Sequence, residues 1–118
     1  MHSLDEALDV VNRFCRKTNL EESHCFKLRL VSEELVVNLL KHAKAESFSL
    51  VLEKREEGLS LLLSYAGERF DPSASDLGPL DSVEESTPGG LGLFLVKSVA
   101  KCLNYRYESG VNFVEIVI

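Results

Sequence analysis

The hydrophobic residues of this chain change their spacing after His42. Up to that point they recur every three to four residues, which is the period of a helix that buries one face. From Phe48 onward they alternate with polar residues, which is the period of a strand with one buried side. A chain that places helical segments before alternating segments is expected to pack helices against a sheet. The spacing therefore predicts an α+β fold.

Two helices are predicted in the first part of the chain. Ser3 and Glu6 have the spacing of a capping box, in which each side chain satisfies a free backbone donor at the start of a helix. The first helix is therefore expected to begin at Ser3 and to run to about Lys17. The second and longer helix is predicted from about Glu22 to His42, with apolar residues along one face.

The remainder of the chain is predicted to form two hairpins and a third helix. The predicted strands cover residues 48–52, 59–65, 105–108 and 111–118. A long loop at 66–89 and a helix at 91–103 separate the two hairpins. Together these elements predict a single domain over 1–118. It would be a two-layer α/β sandwich whose mixed, mainly antiparallel sheet has helices packed on one face.

Composition limits the classes of partner. The net charge of −6 disfavours direct binding to nucleic acid or to an anionic membrane, because both need clustered Lys and Arg. No apolar run approaches the roughly 20 residues of a membrane helix, and the first ten residues lack the pattern of a signal peptide. We therefore expect a cytoplasmic protein that meets other proteins.

The three cysteines, Cys15, Cys25 and Cys102, form no CxxC pair and lie on apolar stretches. Buried free thiols are predicted for all three, without a disulfide or a metal site.

A glycine-rich segment, Gly89-Gly90-Leu91-Gly92, precedes the third helix. Glycines let the backbone approach a ligand closely, and the start of a helix presents free N–H groups that suit phosphate. The same glycines also suit a tight end to a long loop, so both interpretations stay open at this point.

Glu34 and Asn38 lie four residues apart and therefore project from the same helix face. The amide oxygen is a hard ligand suitable for Mg²⁺, and the carboxylate can take a proton from an attacking hydroxyl. An ordinary polar pair on a solvated helix edge is the alternative. His42, one turn further on, would either reach a phosphate or cap the last carbonyls of its helix.

Gly67 and the following Phe70-Asp71-Pro72 indicate a turn. This turn would either open a lid or simply end the strand and begin an ordinary loop.

In this order, the segments resemble the motifs of the GHKL ATPases, the superfamily of gyrase, the heat-shock chaperone, histidine kinases and mismatch-repair ATPases. Residues 33–43 are similar to the N box, 65–72 to the first glycine box, 71–89 to the lid and 89–96 to the second glycine box. A His four residues after the Asn, with the later Phe70-Asp71-Pro72 and Gly90-Leu91-Gly92, is most similar to the anti-sigma-factor serine kinase branch.

The resemblance implies a role for individual residues. Glu34 would be the catalytic general base, and Asn38 would bind the metal ion. Gly67 would lie beneath the adenine, and the second glycine box would line the triphosphate. The implied cofactors are ATP and Mg²⁺. The implied cofactor-binding residues are Asn38, His42, Gly67, Gly90, Leu91 and Gly92.

The resemblance also implies a function and partners. Kinases of this branch phosphorylate a serine on a small anti-sigma-factor antagonist, and the same domain binds a sigma factor, commonly as a dimer. We therefore expect an ATP-dependent serine protein kinase that regulates transcription through the antagonist and the sigma factor. A homodimer is among the assemblies that the resemblance implies, and the sequence does not fix the oligomeric state.

The first glycine box departs from the family pattern. That pattern is Asp-x-Gly, whose Asp accepts a hydrogen bond from the adenine amine, whereas this chain has Tyr65-Ala66-Gly67. Losing a charge-assisted hydrogen bond costs about 1.5–3 kcal/mol, which lowers the affinity for ATP by roughly one or two decades. No Lys or Arg lies between Arg69 and Lys97, so the lid offers a triphosphate no positive charge.

Three functions therefore remain open on sequence grounds. The first is the active serine kinase. The second is a degenerate GHKL domain with weak or no ATP binding that acts as a protein-binding regulatory module. The third, disfavoured by the short gap between the boxes, is the ATP-binding domain of a two-component histidine kinase.

Overall fold

A computed structural model describes residues 1–43, 45–71 and 96–118. The first helix, α1, spans Leu4–Thr18. Its N-cap is Ser3, whose Oγ accepts a hydrogen bond of 3.2 Å from the backbone N–H of Glu6. The Glu6 carboxylate in turn accepts a hydrogen bond from the backbone N–H of His2 at 3.2 Å. The predicted capping pair is therefore confirmed, with the carboxylate reaching one residue further back than the N-cap.

The second helix, α2, spans Glu22–Asn38 and continues as a π-helical turn at Leu39–Ala43. The predicted helix from Glu22 to His42 is thus present, but its last turn is wider than an α-helical one. Single π-helical turns are frequent at functional sites, because the extra residue redirects the side chains that follow.

Four strands form one sheet in the order β1-β2-β4-β3, and every pairing among them is antiparallel. The strands are β1 at Ser49–Arg55, β2 at Gly58–Ala66, β3 at Cys102–Glu108 and β4 at Val111–Val117. The predicted α+β class and the two hairpins are confirmed. The prediction allowed a mixed sheet, whereas the described strands contain no parallel pair.

The core lies between the helices and one face of the sheet. On β2 and β4 alternate residues are buried, as expected for strands that cover helices on one side only. These strand residues join apolar residues of α1 and α2 in one cluster. Members of that cluster include Val11, Leu28, Val31, Leu35, Leu61, Leu63, Val114 and Ile116.

The third helix ends earlier than predicted. Residues 96–99 are helical, but Cys102 and Leu103, which the prediction placed in the helix, belong to β3. The backbone N–H of Ala100 still bonds the carbonyl of Val96, whereas that of Lys101 already bonds the carbonyl of Val117 at 2.7 Å. Pairing with β4 therefore replaces helical hydrogen bonds at this point.

The prediction of three buried free thiols is wrong. Cys15 and Cys25 are joined by a disulfide, with their Cα atoms 5.9 Å apart, and Cys102 is free and exposed. The physical reason is the short connection between α1 and α2, which places the end of one helix against the start of the next.

None of the helices in the described ranges is both long enough and apolar enough to span a bilayer.

Candidate functional site

Asn38 is the last residue of α2, and its side chain is only 3% exposed. The amide nitrogen donates a hydrogen bond of 2.7 Å to the backbone carbonyl of Glu34, one turn earlier. Among the described residues, no hydrogen bond engages the amide oxygen. The helix therefore fixes the orientation of the amide through its nitrogen, and the oxygen is the atom of this side chain that could serve as a hard ligand.

Glu34 is half-buried on the same turn of α2. Burial, and secondly the charge of the neighbouring Glu33, raise the pKa of the Glu34 carboxyl above its ordinary value. No ion pair within the described ranges involves this carboxylate. A carboxylate with a raised pKa and no cationic partner is a stronger base than an ordinary one.

His42 lies on the π-helical turn and is exposed. Its ring stacks against Phe70, with the ring centroids 6.3 Å apart and the planes 23° from parallel. Within the described part of the chain, His42 makes this aromatic contact and no hydrogen bond to a helix carbonyl. The end of the predicted N box and the end of the predicted first glycine box are therefore in contact.

Gly67 follows the end of β2 and has a φ of +136°, a conformation that side chains rarely adopt. A Cβ atom at this position would meet no described atom within 4 Å, so the backbone conformation, and not a lack of space, is what calls for glycine here. The Gly67 N–H bonds the carbonyl of Gly110 at 3.0 Å, and the Tyr107 hydroxyl donates to the Gly67 carbonyl at 2.8 Å.

Tyr65, the residue in the place of the family Asp, points into the core and is 3% exposed. Its hydroxyl donates a hydrogen bond of 2.6 Å to the backbone carbonyl of Phe70. Burial, followed by the influence of Tyr105 and Asp71, raises the pKa of this phenol well above its ordinary value. The hydroxyl therefore keeps its proton and acts as a donor.

An open cleft of about 640 Å³ separates the chain after the π-helical turn from the first glycine box. Its described lining consists of Ala43, Ala45, Glu46, Ser47, Ala66, Gly67 and Glu68. Two carboxylates and no cation occur among these residues, so this side of the site offers no charge attraction to a phosphate.

The histidine kinase-like ATPase domain model matches residues 1–118 of the chain. The chain belongs to this family. The serine-protein kinase RsbW of Staphylococcus aureus strain JH9 is 31% identical over 94 residues, which is 71% of this chain and 59% of that relative. The same protein from strain Newman gives the same values. The chain thus spans 59% of the length of the curated relatives it matches.

A solved structure of similar fold is that of the SiaB–SiaC complex from Pseudomonas aeruginosa. The match has a TM-score of 0.65 and 13% sequence identity, and it covers 98% of this chain and 82% of the other. At this identity the likeness supports the fold.

Part of the predicted histidine kinase-like site lies outside the described residues. This applies to Gly90, Leu91 and Gly92, and to the lid beyond Asp71. Val96, the last residue of the predicted second glycine box, is fully buried in the same core as α2. Among the described site residues, Glu34, Asn38 and His42 follow one another along α2 and its π-helical turn. Gly67 belongs to the box that meets them through Phe70.

One buried polar residue, Asn112, was not predicted as part of the site. It lies directly opposite Tyr65 in the β2–β4 register and is fully buried. A signal was present in the sequence, because the alternation of Val114, Ile116 and Ile118 places Asn112 on the buried face of its strand. A buried amide needs hydrogen-bond partners, so its position indicates a specific polar contact.

The described residues offer a magnesium ion one oriented hard donor, the amide oxygen of Asn38. No group of three or more His, Cys, Asp or Glu side chains in the described ranges could hold a metal ion. The Tyr65 side chain, in contrast, is buried and its proton is committed to the carbonyl of Phe70. A base at this position would find no carboxylate acceptor.

Proposed function

We propose that this domain is the nucleotide-binding part of an ATP-dependent serine protein kinase that acts on a small anti-sigma-factor antagonist and also binds a sigma factor. The observation that carries the proposal is the arrangement on α2, where Asn38 presents its amide oxygen one turn from a carboxylate with a raised pKa. Membership of the histidine kinase-like family and the similarity to a relative named as a serine-protein kinase support it.

In this proposal each residue of α2 has a distinct task. Asn38 holds Mg²⁺ through its amide oxygen, and Glu34 takes the proton from the serine hydroxyl of the protein substrate. ATP, when bound, supplies the phosphoryl group. The remaining proposed cofactor-binding residues are His42, Gly67, Gly90, Leu91 and Gly92.

The proposed protein partners are the antagonist, the sigma factor and a second copy of the chain. Light scattering on the purified chain tests whether it binds a second copy.

Calorimetric titration with Mg²⁺–ATP, together with an assay of ADP formation, tests the kinase proposal. Asn38→Ala should weaken binding only when Mg²⁺ is present, because the lost group is a metal ligand. Glu34→Gln should retain binding and lose roughly 10²- to 10⁴-fold in turnover, which is the usual contribution of a general base.

Two exposed residues away from the site serve as matched controls for this experiment. Glu22→Gln removes an exposed carboxylate at the other end of α2, and Asn104→Ala removes an exposed amide on β3. Neither should change binding or turnover by more than about twofold, since surface substitutions away from the site have small effects. A wild-type chain that gives no heat and no thermal shift at about 1 mM Mg²⁺–ATP, where a Kd in the millimolar range or tighter would be detected, rules the kinase out.

A second candidate function is favoured by Tyr65. Its buried ring and engaged hydroxyl support a domain that binds nucleotide weakly or not at all and regulates its partner by protein contact alone. Such a module would still require the fold, but it would need neither a metal ligand at Asn38 nor a general base at Glu34.

Replacing Tyr65 separates the two functions. If the domain is a binding module, Tyr65→Asp creates an affinity for ATP that the wild type lacks, whereas Tyr65→Phe, the matched control without an acceptor, does not. Tyr65→Asn provides an acceptor oxygen without burying a charge and covers the case in which the Asp variant fails to fold. Tight Mg²⁺–ATP binding by the wild type contradicts the module.

A further inference from the structure

We propose that Asn112 is a positioning residue that holds the first glycine box in its turn and, through Phe70, fixes that box against the end of the N box. Asn112 lies on β4 and belongs to neither motif. The consequence for ligand binding rests on the proposed function, but the positioning itself concerns the ligand-free chain.

The side chain of Asn112 uses its full hydrogen-bonding capacity on the first glycine box and on Tyr105 of the neighbouring strand β3. The amide nitrogen donates to the carbonyl of Tyr65 at 3.3 Å and to the carbonyl of Glu68 at 3.1 Å. The amide oxygen accepts the backbone N–H of Phe70 at 2.9 Å and also the hydroxyl of Tyr105. An amide has two donor hydrogens and two lone pairs, so all four positions are occupied.

These bonds reach from the end of β2 across the turn that follows it. One side chain connects Tyr65, near the end of the strand, with Glu68 and Phe70 in the turn. Asn112 is fully buried, so water has little access to its amide, although its loop partners lie nearer the surface. Without the amide, the Glu68 carbonyl and the Phe70 N–H of the loop lose their side-chain partner.

Phe70 is the residue through which the turn after β2 contacts the π-helical turn at the end of α2. Its N–H is bound by Asn112 and its carbonyl by the Tyr65 hydroxyl, so both backbone groups of this residue are fixed from the core. The ring of Phe70 stacks on His42, one turn beyond Asn38. The buried amide therefore determines where the ring lies that contacts the N box.

NMR of the ligand-free chain tests this inference. Asn112→Leu has a similar volume and removes all four hydrogen bonds. It should speed amide exchange at Phe70 by roughly tenfold or more, which is the factor expected for the loss of one hydrogen bond. It should also move the ring-proton shifts of His42 toward the values that His42 has in the Phe70→Leu variant. That variant lacks the aromatic ring and therefore defines the unstacked state. The rings of His2 and His24 act as internal references. Tyr105→Phe, which removes one donor to the amide, should give a smaller change of the same sign.

The matched control is Val114→Ala, at the next buried position of β4. It lowers stability without touching the loop, so it should leave both the His42 shifts and the relative exchange of Phe70 unchanged. If Asn112→Leu behaves like this control, or if it leaves His42 unshifted while the chain is folded, Asn112 is only a core residue. If Asn112→Leu does not fold, Tyr105→Phe and Tyr65→Phe decide the question with the same two readouts. Because no nucleotide is present, the outcome is independent of whether the wild type binds Mg²⁺–ATP.

Discussion

At the scale of single residues, three buried polar side chains divide the candidate site into two halves. The amide nitrogen of Asn38 donates to a carbonyl of its own helix, and its oxygen accepts no hydrogen bond from the described residues. The polar groups of Asn112 and Tyr65 make hydrogen bonds to the backbone at and after the end of β2. The half of the candidate site on α2 thus keeps an amide oxygen without a hydrogen bond from the described residues, whereas the polar groups on β2 and β4 are satisfied from within the chain.

Glu34→Gln is expected to stabilise the fold near neutral pH and to have little effect in acid. Burial, then the charge of Glu33, raise the pKa of Glu34 in the folded state above 4.5. The folded state then holds the proton more tightly than the unfolded chain does, so stability falls as the pH rises from about 4.5 through the folded-state pKa. Glutamine is neutral and has no such loss. Urea unfolding midpoints at a series of pH values from about 4 to 8 measure the difference.

The difference between the variant and the wild type should therefore widen above about pH 4.5 and then level off. Glu33→Gln provides the comparison. It removes the charge of Glu33 but leaves Glu34 buried, so it should give a smaller change in the same direction. A difference that is constant across the whole range would show that Glu34 has the same pKa in the folded and unfolded chain.

At the scale of elements, local signals were predicted well, whereas competition between elements was not. The start of α1 follows from Ser3 and Glu6, which interact with each other and their immediate backbone. The end of the third helix depends instead on β4, because Lys101 bonds Val117 where the apolar spacing would continue the helix. The π-helical turn after Asn38 is likewise invisible in the sequence pattern, since its apolar spacing matches that of an α-helix.

At the scale of the whole molecule, the change of hydrophobic period predicts the α+β class, because it reflects which faces must be buried. The order β1-β2-β4-β3 is a long-range property, and neither spacing nor turn residues determine it. The candidate site divides in the same way. Glu34, Asn38 and His42 are neighbours along one helix, and their grouping was predictable. Asn112 reaches Tyr65 only through the pairing of β2 with β4.

The bond between Cys15 and Cys25 makes the stability of the whole chain depend on redox conditions. A cross-link between residues separated by 10 positions restricts the unfolded chain and is worth about 2–3 kcal/mol in the chain-entropy model. Dithiothreitol should therefore lower the urea midpoint of the wild type. Cys15→Ser should match the reduced wild type and show no further response to the reductant. Cys102→Ser, at the exposed free cysteine, is the matched control and should respond as the wild type does. A wild-type midpoint unaffected by complete reduction would show that the two sulfurs contribute by packing, as thiols, and that no covalent link stabilises the α1–α2 pair.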